Sequence, residues 1–142
     1  MSRILCLDMG SKNIGMAISD EMKSIAQGLP TVRRDRNLQW LEKIKTISKE
    51  NSVEKILLGY PVDLNGGVGK SAKEVEIIGA QISEETGMEV VLWDERLSTV
   101  QAERVLLQAD LGRKKRKMIV DKVASVIILQ NYLDSLKNQS LK

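Results

Sequence analysis

Short apolar runs separated by turn residues dominate the first third of the chain. Residues 4–7 are all apolar, and the segment 14–19 is mostly apolar, with a turn rich in glycine and polar residues between them. Such runs predict buried strands joined by a tight connection. Residues 28–32 predict a third strand, in which Pro30 indicates an edge position or a strand start. Three successive strands with short connections favour an antiparallel meander.

The spacing of apolar residues then changes from that of strands to that of helices. Residues 37–50 carry an apolar residue at every third position, with charged residues between, which predicts an amphipathic helix. The later segments alternate between the two patterns. They predict a strand at 55–59, a helix from a capping box at Ser71 to Gly87, a strand at 90–93, a helix from 98 through 107 and a helix at 118–136.

This order of elements predicts an α/β fold, with a mixed sheet flanked by helices. We expect residues 1–142 to form a single domain, since the length suits one domain and no boundary is visible. The chain has no Phe and 3% aromatic residues, so its core must be aliphatic. A single cysteine, Cys6, lies within an apolar strand and predicts a packed residue in a reducing compartment. No apolar run is long enough for a membrane span and no signal pattern is present, so we expect a cytoplasmic protein.

Carboxylates are the main candidates for chemistry, because the chain contains no histidine. Asp8 follows the first predicted strand, Asp94 and Glu95 follow the strand at 90–93, and Asp121 opens the last predicted helix. Carboxylates brought together from distant segments repel one another unless a cation joins them. Hard divalent ions such as Mg²⁺ prefer oxygen ligands of this kind.

Each of these acids also has an ordinary structural interpretation. Asp8 could form a turn with its own backbone. Successive strand residues face opposite sides, so only one of Asp94 and Glu95 is expected to face the same centre as Asp8. Arg96 could neutralise the other or contact a phosphate. Asp121 could interact with the helix dipole, or point inward among small and apolar neighbours and require a partner.

Basic residues are concentrated in one segment although the net charge is only +3. Five consecutive residues carry positive charge: Arg113, Lys114, Lys115, Arg116 and Lys117. One interpretation is a solvated loop, and the other is a patch that binds phosphates. The scarcity of aromatic residues argues against base-stacking platforms, so a nucleic acid would be held mainly through its backbone.

Four segments together resemble the YqgF family of Holliday-junction-resolvase-like proteins, within the RNase H-like superfamily. The resemblance spans nearly the whole chain, and the matching segments are residues 8–20, 59–61 with 65–67, 94–99, and 121–125 with 128–130. The chain departs from the family pattern at three positions. Tyr60 replaces a usual Leu, Asn13 replaces a usual Arg after Lys12, and Ser125 stands where a second Ala is typical.

The resemblance implies an RNase H-like five-stranded sheet of order 3-2-1-4-5. It also implies that Asp8, Glu95 and Asp121 converge as catalytic metal ligands, with Asp94 as the alternative to Glu95. Members of the family are described as nucleases that mature the 5′ end of pre-16S rRNA, and some as junction resolvases. The implied partner is therefore structured RNA or branched DNA, contacted by Lys12, Arg96 and the basic run 113–117.

A two-metal hydrolysis of phosphodiesters fits this set of acids. Two Mg²⁺ or Mn²⁺ ions activate a water and stabilise the leaving oxygen. Asp8 would bridge the ions, and Glu95 and Asp121 would each hold one. Alternatives are a Holliday junction resolvase, which would need a dimer for a two-fold symmetric junction, and a non-catalytic nucleic-acid-binding factor of ribosome assembly. A phosphotransferase related to sugar kinases is weaker, since no nucleotide-binding glycine loop is visible. The sequence leaves monomer and homodimer, and RNA and DNA, undecided.

Overall fold

A five-stranded sheet forms the centre of the structure, which is a computed structural model. It describes the backbone of residues 2–10, 12–60, 70–94 and 113–140, and their side chains except those of 70, 71, 94, 113–123 and 138–140. The strands are β1 (Arg3–Met9), β2 (Asn13–Ser19), β3 (Ala26–Arg33), β4 (Val53–Tyr60) and β5 (Glu89–Asp94). Each extends beyond the apolar run that predicted it, because backbone pairing continues past the last apolar residue.

The order of the strands is β3-β2-β1-β4-β5. β1 pairs antiparallel with β2, and β2 pairs antiparallel with β3, which confirms the predicted meander. β1 pairs parallel with β4, and β4 pairs parallel with β5. The carboxyl ends of β1, β4 and β5 therefore lie at the same edge of the sheet. The predicted mixed sheet of order 3-2-1-4-5 is confirmed.

Three helices are described: α1 (Gln39–Glu50), α2 (Lys70–Thr86) and α3 (Arg113–Ser140). α2 already includes Lys70, so the prediction that Ser71 caps this helix is wrong. The helix predicted from 98 through 107 lies outside the described residues. Within the described part of the chain, no helix is long and apolar enough to cross a membrane.

The sheet buries a separate apolar cluster on each face. One cluster joins Leu5, Leu7 and other strand residues to α1 and α2, and we call this side the α1–α2 face. The other joins Ile4 and Cys6 to α3, and we call this side the α3 face. Successive strand residues alternate between the two faces. The position of a residue in its strand therefore assigns it to a face.

Polar contacts hold α3 against the sheet on two sides of the helix, toward β4 and toward β3. The Nζ of Lys55 on β4 donates a hydrogen bond of 3.2 Å to the hydroxyl of Tyr132, which raises the pKa of Lys55. The rings of Tyr132 and Trp93 meet edge to face, with centroids 5.0 Å apart. On the other side, Gln130 accepts a hydrogen bond of 2.9 Å from the amide of Ala26 and donates one of 2.9 Å to the carbonyl of Ser24. These contacts set where along the strands α3 lies.

Candidate active site at the carboxyl end of β1

Asp8 is the next-to-last residue of β1 and pairs with Gly15 of β2. It lies inside the strand rather than after it, because the pairing with β2 continues through Met9. Ile4 and Cys6 are buried on the α3 face, and Leu7 is buried on the other. Alternation therefore assigns Asp8 to the α3 face. It is partly exposed, at a position where a rigid strand sets the direction of its side chain.

Hydrogen bonds within the turn and from Arg34, which follows β3 and pairs with α2, hold the turn after Asp8 in place. The amide of Gly10 donates a 3.0 Å hydrogen bond to the carbonyl of Asn13. The guanidinium of Arg34 donates a 3.2 Å hydrogen bond to the carbonyl of Gly10 and pairs at 2.6 Å with Glu74 of α2. Arg34 thus links the turn beside the candidate site to a helix on the opposite face. Sequence reasoning missed Arg34, because its partners lie 24 and 40 positions away and no local pattern marks them.

Asp121 lies well inside α3, eight residues after Arg113. The prediction that it opens the helix is wrong, and so is the interpretation that the helix dipole accounts for it, since that effect is confined to the first turn. The buried residues Ala124, Ser125 and Ile128 follow it by three, four and seven positions. Residues at those spacings share one stripe of a helix, so the backbone position of Asp121 continues the stripe that packs on the sheet.

The level of Asp121 along the strands can be worked out from Gln130. Gln130 contacts Ala26, which pairs with Ser19, and the hydroxyl of Ser19 accepts a hydrogen bond from the amide of Ile4. Gln130 therefore lies near the level of Ile4. Nine helical residues back to Asp121 span about 13.5 Å, and four strand residues from Ile4 to Asp8 span about 13 Å. The charge of Lys137, near the end of α3, acts on Asp20, so the helix runs toward the amino end of β1. A helix aligned with the strands would place the backbone of Asp121 at about the level of Asp8.

The remaining predicted acids are the last residue of β5 and the residue after it in the sequence. Asp94 is the last residue of β5 and pairs with Tyr60 at the end of β4. Glu95 and Arg96 lie outside the described residues. Where side chains are described, no group of three residues among His, Cys, Asp and Glu could hold a metal. Asp8 is the one predicted ligand whose side chain belongs to that part of the chain.

The basic run belongs to α3 and is not a loop. Arg113 to Lys117 form the first residues of this helix, because Lys and Arg are good helix formers even without an apolar stripe. Lys12, the other predicted phosphate contact, is exposed in the turn between β1 and β2. This turn lies beyond the carboxyl end of β1, and the direction of α3, whose last turn lies near Asp20, puts the start of the helix toward the same end of the sheet.

Tyr60 occupies the opposite face from Asp8. It packs against the apolar cluster on the α1–α2 face, and its hydroxyl donates a 2.6 Å hydrogen bond to Glu76 of α2. This hydrogen bond to the carboxylate raises the pKa of Tyr60. The departure from the family's usual Leu therefore links β4 to α2 and adds no group to the candidate site.

The strand order, the crossing helix and an acid near the end of the central strand together define an RNase H-like fold. Two solved structures share it at low sequence identity. The fowlpox virus resolvase in complex with Holliday junction DNA has a TM-score of 0.54 and 16% identity, covering 94% of this chain and 98% of that one. Thermus thermophilus RuvC in complex with a Holliday junction has a TM-score of 0.52 and 13% identity, with 96% of each chain covered.

The particular family follows from sequence comparison. Residues 2–135 match the family described as "RuvX: Holliday junction resolvase", and the chain belongs to this family. A relative from Thermoanaerobacter pseudethanolicus is 48% identical over 138 residues, covering 96% of this chain and 99% of the relative. One from Shouchella clausii is 50% identical over 131 residues, covering 90% and 92%. Both carry the name "Putative pre-16S rRNA nuclease". This is the YqgF-like family of Holliday junction resolvases that the sequence motifs predicted, so that prediction is confirmed.

Proposed function

We propose that the protein is a metal-dependent nuclease that processes the 5′ end of pre-16S rRNA in the cytoplasm. The observation that carries this proposal is the identity of 48% to a relative of that name over 96% of the chain and 99% of the relative. So long an alignment leaves no separate domain of the relative to supply the activity. The position of Asp8 on a rigid strand, on the face covered by α3, supports it.

Asp8, Glu95 and Asp121 would hold the metal. Three carboxylates form a hard donor set, which fits Mg²⁺ or Mn²⁺. The alternation along β5 favours Glu95 over Asp94 as the third ligand: Val91 and Trp93 pack on the α3 face, and the next residue of the same parity is Glu95. The direction of α3, whose last turn lies near the amino end of β1, supports the pairing of Asp8 with Asp121.

The bound metal would supply an activated water and stabilise the charge on the leaving oxygen. The chain's own residues would hold and orient the substrate. The strand β1 sets the direction of the Asp8 side chain, and the hydrogen bond from Arg34 to the carbonyl of Gly10 keeps the following turn in place. Lys12, Arg96 and the basic residues 113–117 would contact phosphates and so set the position of the scissile bond, without reading the sequence.

The family description favours a second candidate function, the resolution of Holliday junctions. That activity would require two active sites arranged about a two-fold axis, and hence a homodimer. Processing of one RNA end requires a single site and is compatible with a monomer. The mass of the protein in solution, measured with and without substrate, separates the two candidates on this point.

The test is a panel of labelled substrates under two metal conditions. A precursor fragment that contains the 5′ end of 16S rRNA and a four-way DNA junction are each incubated with Mn²⁺ or with EDTA. We expect cleavage of the precursor with Mn²⁺ and none with EDTA. Paired symmetric cuts in the junction alone would favour the resolvase. Binding of the precursor with no product under any metal condition would contradict the proposal and indicate a non-catalytic assembly factor.

A further inference from the structure

A second group of basic side chains lies beside the candidate site, on the side of β3. Arg33 is the last residue of β3, pairs with Asn13 and is exposed. The preceding residue, Val32, is buried in the cluster on the α1–α2 face. Alternation therefore assigns Arg33 to the α3 face, which is the face of Asp8. An arginine on this face, at the end of the sheet where Asp8 lies, has no role in the packing of the core.

Two more cations adjoin Arg33. The carbonyl of Lys12 accepts a 2.8 Å hydrogen bond from the amide of Arg34, so the turn that carries Lys12 lies directly against the end of β3. Arg36 follows in the connection to α1 and is exposed. We call Lys12, Arg33 and Arg36 the β3-side patch. Among the described residues, none of these three side chains takes part in a salt bridge.

The nearby acids, Asp35 and Glu74, form their hydrogen bonds and salt bridges with residues outside the β3-side patch. The carboxylate of Asp35 accepts hydrogen bonds of 3.3 Å and 3.2 Å from the first amides of α1, those of Gln39 and Trp40. Glu74 pairs with Arg34. Neither acid forms a salt bridge with a member of the β3-side patch. Exposed cations close together repel one another, and a polyanion relieves that repulsion.

The spacing of the patch from Asp8 suits a nucleic acid backbone. β3 is separated from β1 by β2, so the two strands lie about 10 Å apart. Successive phosphates of one strand of a DNA duplex advance about 3.4 Å along its axis, and we take this spacing as the scale for a nucleic acid backbone. A backbone bound at Asp8 would thus reach Arg33 about three nucleotides away. The basic run at the start of α3 belongs to a different element, so the two groups can contact different stretches of substrate.

We propose that the β3-side patch binds the phosphodiester backbone of the substrate a few nucleotides from the bond held at Asp8. This inference rests on the proposed function and adds a contact surface to it. Arg33 and Arg36 are the new members. Because they would contact phosphates only, they would strengthen binding to all sequences alike. They would also make it depend more steeply on salt.

The test compares two double variants of equal charge. Arg33→Gln with Arg36→Gln removes two charges from the patch. Lys49→Gln with Lys137→Gln removes two exposed charges at the opposite end of the sheet, on the last turn of α1 and late in α3. Binding of the precursor rRNA fragment is measured in EDTA at several salt concentrations. EDTA keeps the measurement independent of cleavage.

For the patch variant we expect the slope of log K against log salt to become shallower by about 1.4 to 1.8, since each lost contact removes about 0.7 to 0.9. The control variant should keep the wild-type slope. Equal slopes for the patch variant and the wild type would overturn the inference, even if the wild type cleaves as proposed. A shallower slope in a protein that never cleaves would support the patch while defeating the nuclease assignment.

Discussion

Gly10 offers a sharp test of how the turn beside Asp8 is built. A Cβ added at this position would lie 2.5 Å from the carbonyl oxygen of Asn13. The obstacle is backbone, so no side-chain rotation can relieve the contact. The amide of Gly10 also donates its hydrogen bond to that same oxygen. The substitution Gly10→Ala must therefore move the turn.

The size of the effect can be worked out from these contacts. Carbon and oxygen atoms normally approach to about 3.3 Å, so the turn must open by about 0.8 Å. Opening it weakens the bond between Gly10 and Asn13, worth about 0.5 to 1.5 kcal/mol, and strains the partly exposed bond from Arg34 to the carbonyl of Gly10. We expect Gly10→Ala to lower the free energy of unfolding by about 1 to 3 kcal/mol. A displacement of nearly 1 Å beside Asp8 would also lower the cleavage rate by up to about 10²-fold.

Two other glycines provide controls for the same chemical change. At Gly79, inside α2, a Cβ would lie 3.4 Å from the Cδ2 of Leu58 and 3.5 Å from the Cγ1 of Val90, which are ordinary contacts. Gly79→Ala should stabilise the helix by about 0.5 to 1 kcal/mol. At Gly87 the φ angle is +70°, and an added Cβ would have no described atom other than those of its chain neighbours within 4 Å. Gly87→Ala should therefore lower the free energy of unfolding by about 1 to 2 kcal/mol through backbone strain alone.

The assay is thermal and denaturant unfolding of the three variants, followed by cleavage of the precursor rRNA fragment with Mn²⁺. Gly10→Ala should lose both stability and activity. Gly87→Ala should lose stability but keep the cleavage rate measured at a temperature where it is folded. A Gly10→Ala protein with wild-type stability and wild-type cleavage would refute the role of this turn.

Three further predictions concern buried hydroxyls, a charged turn and the basic run. Ser19→Ala should cost about 1 to 3 kcal/mol in denaturant unfolding because it orphans the buried amide of Ile4. Ser48→Ala should leave stability unchanged or raise it, because the buried Oγ of Ser48 has no hydrogen-bond partner among the described residues. A larger loss of stability for Ser48→Ala than for Ser19→Ala would contradict the roles given to both hydroxyls. The amides of Ile25 and Ser24 lower the pKa of Asp20. The contribution of Asp20 to the free energy of unfolding is therefore present above the unfolded pKa of about 3.9 and is lost as pH falls through the folded pKa. The stability difference between wild type and Asp20→Asn should therefore shrink below about pH 4, and a difference that stays constant to pH 2 would exclude this cause. Neutralising residues 113–117 should weaken binding to all nucleic acid sequences alike, and a sequence-selective loss in a binding titration would argue against phosphate contacts.

The strands could be predicted from the sequence because each buries an apolar run between turn residues. Their ends could not, since Arg3, Asp8 and Arg33 belong to strands through backbone pairing that no side-chain pattern reveals. The strand order came from the family resemblance rather than from the pattern itself. It was confirmed in full.

The candidate site was predictable only in part. Asp8 stood out because an acid directly follows an apolar run. The start of α3 was missed because five basic residues carry no apolar period, and this error also misplaced Asp121 near a helix end. The clamp of Arg34 and the face of Arg33 depend on pairings between distant segments, which only the folded chain displays.

The most direct measurement compares Asp8→Asn with the wild type in Mg²⁺- or Mn²⁺-dependent cleavage of the precursor rRNA fragment. Asn keeps the size of the side chain and removes its charge, so unfolding curves should stay close to those of the wild type while cleavage is abolished. A folded Asp8→Asn protein that cleaves at the wild-type rate would contradict the assignment of Asp8 as a metal ligand, and with it the proposed hydrolytic site.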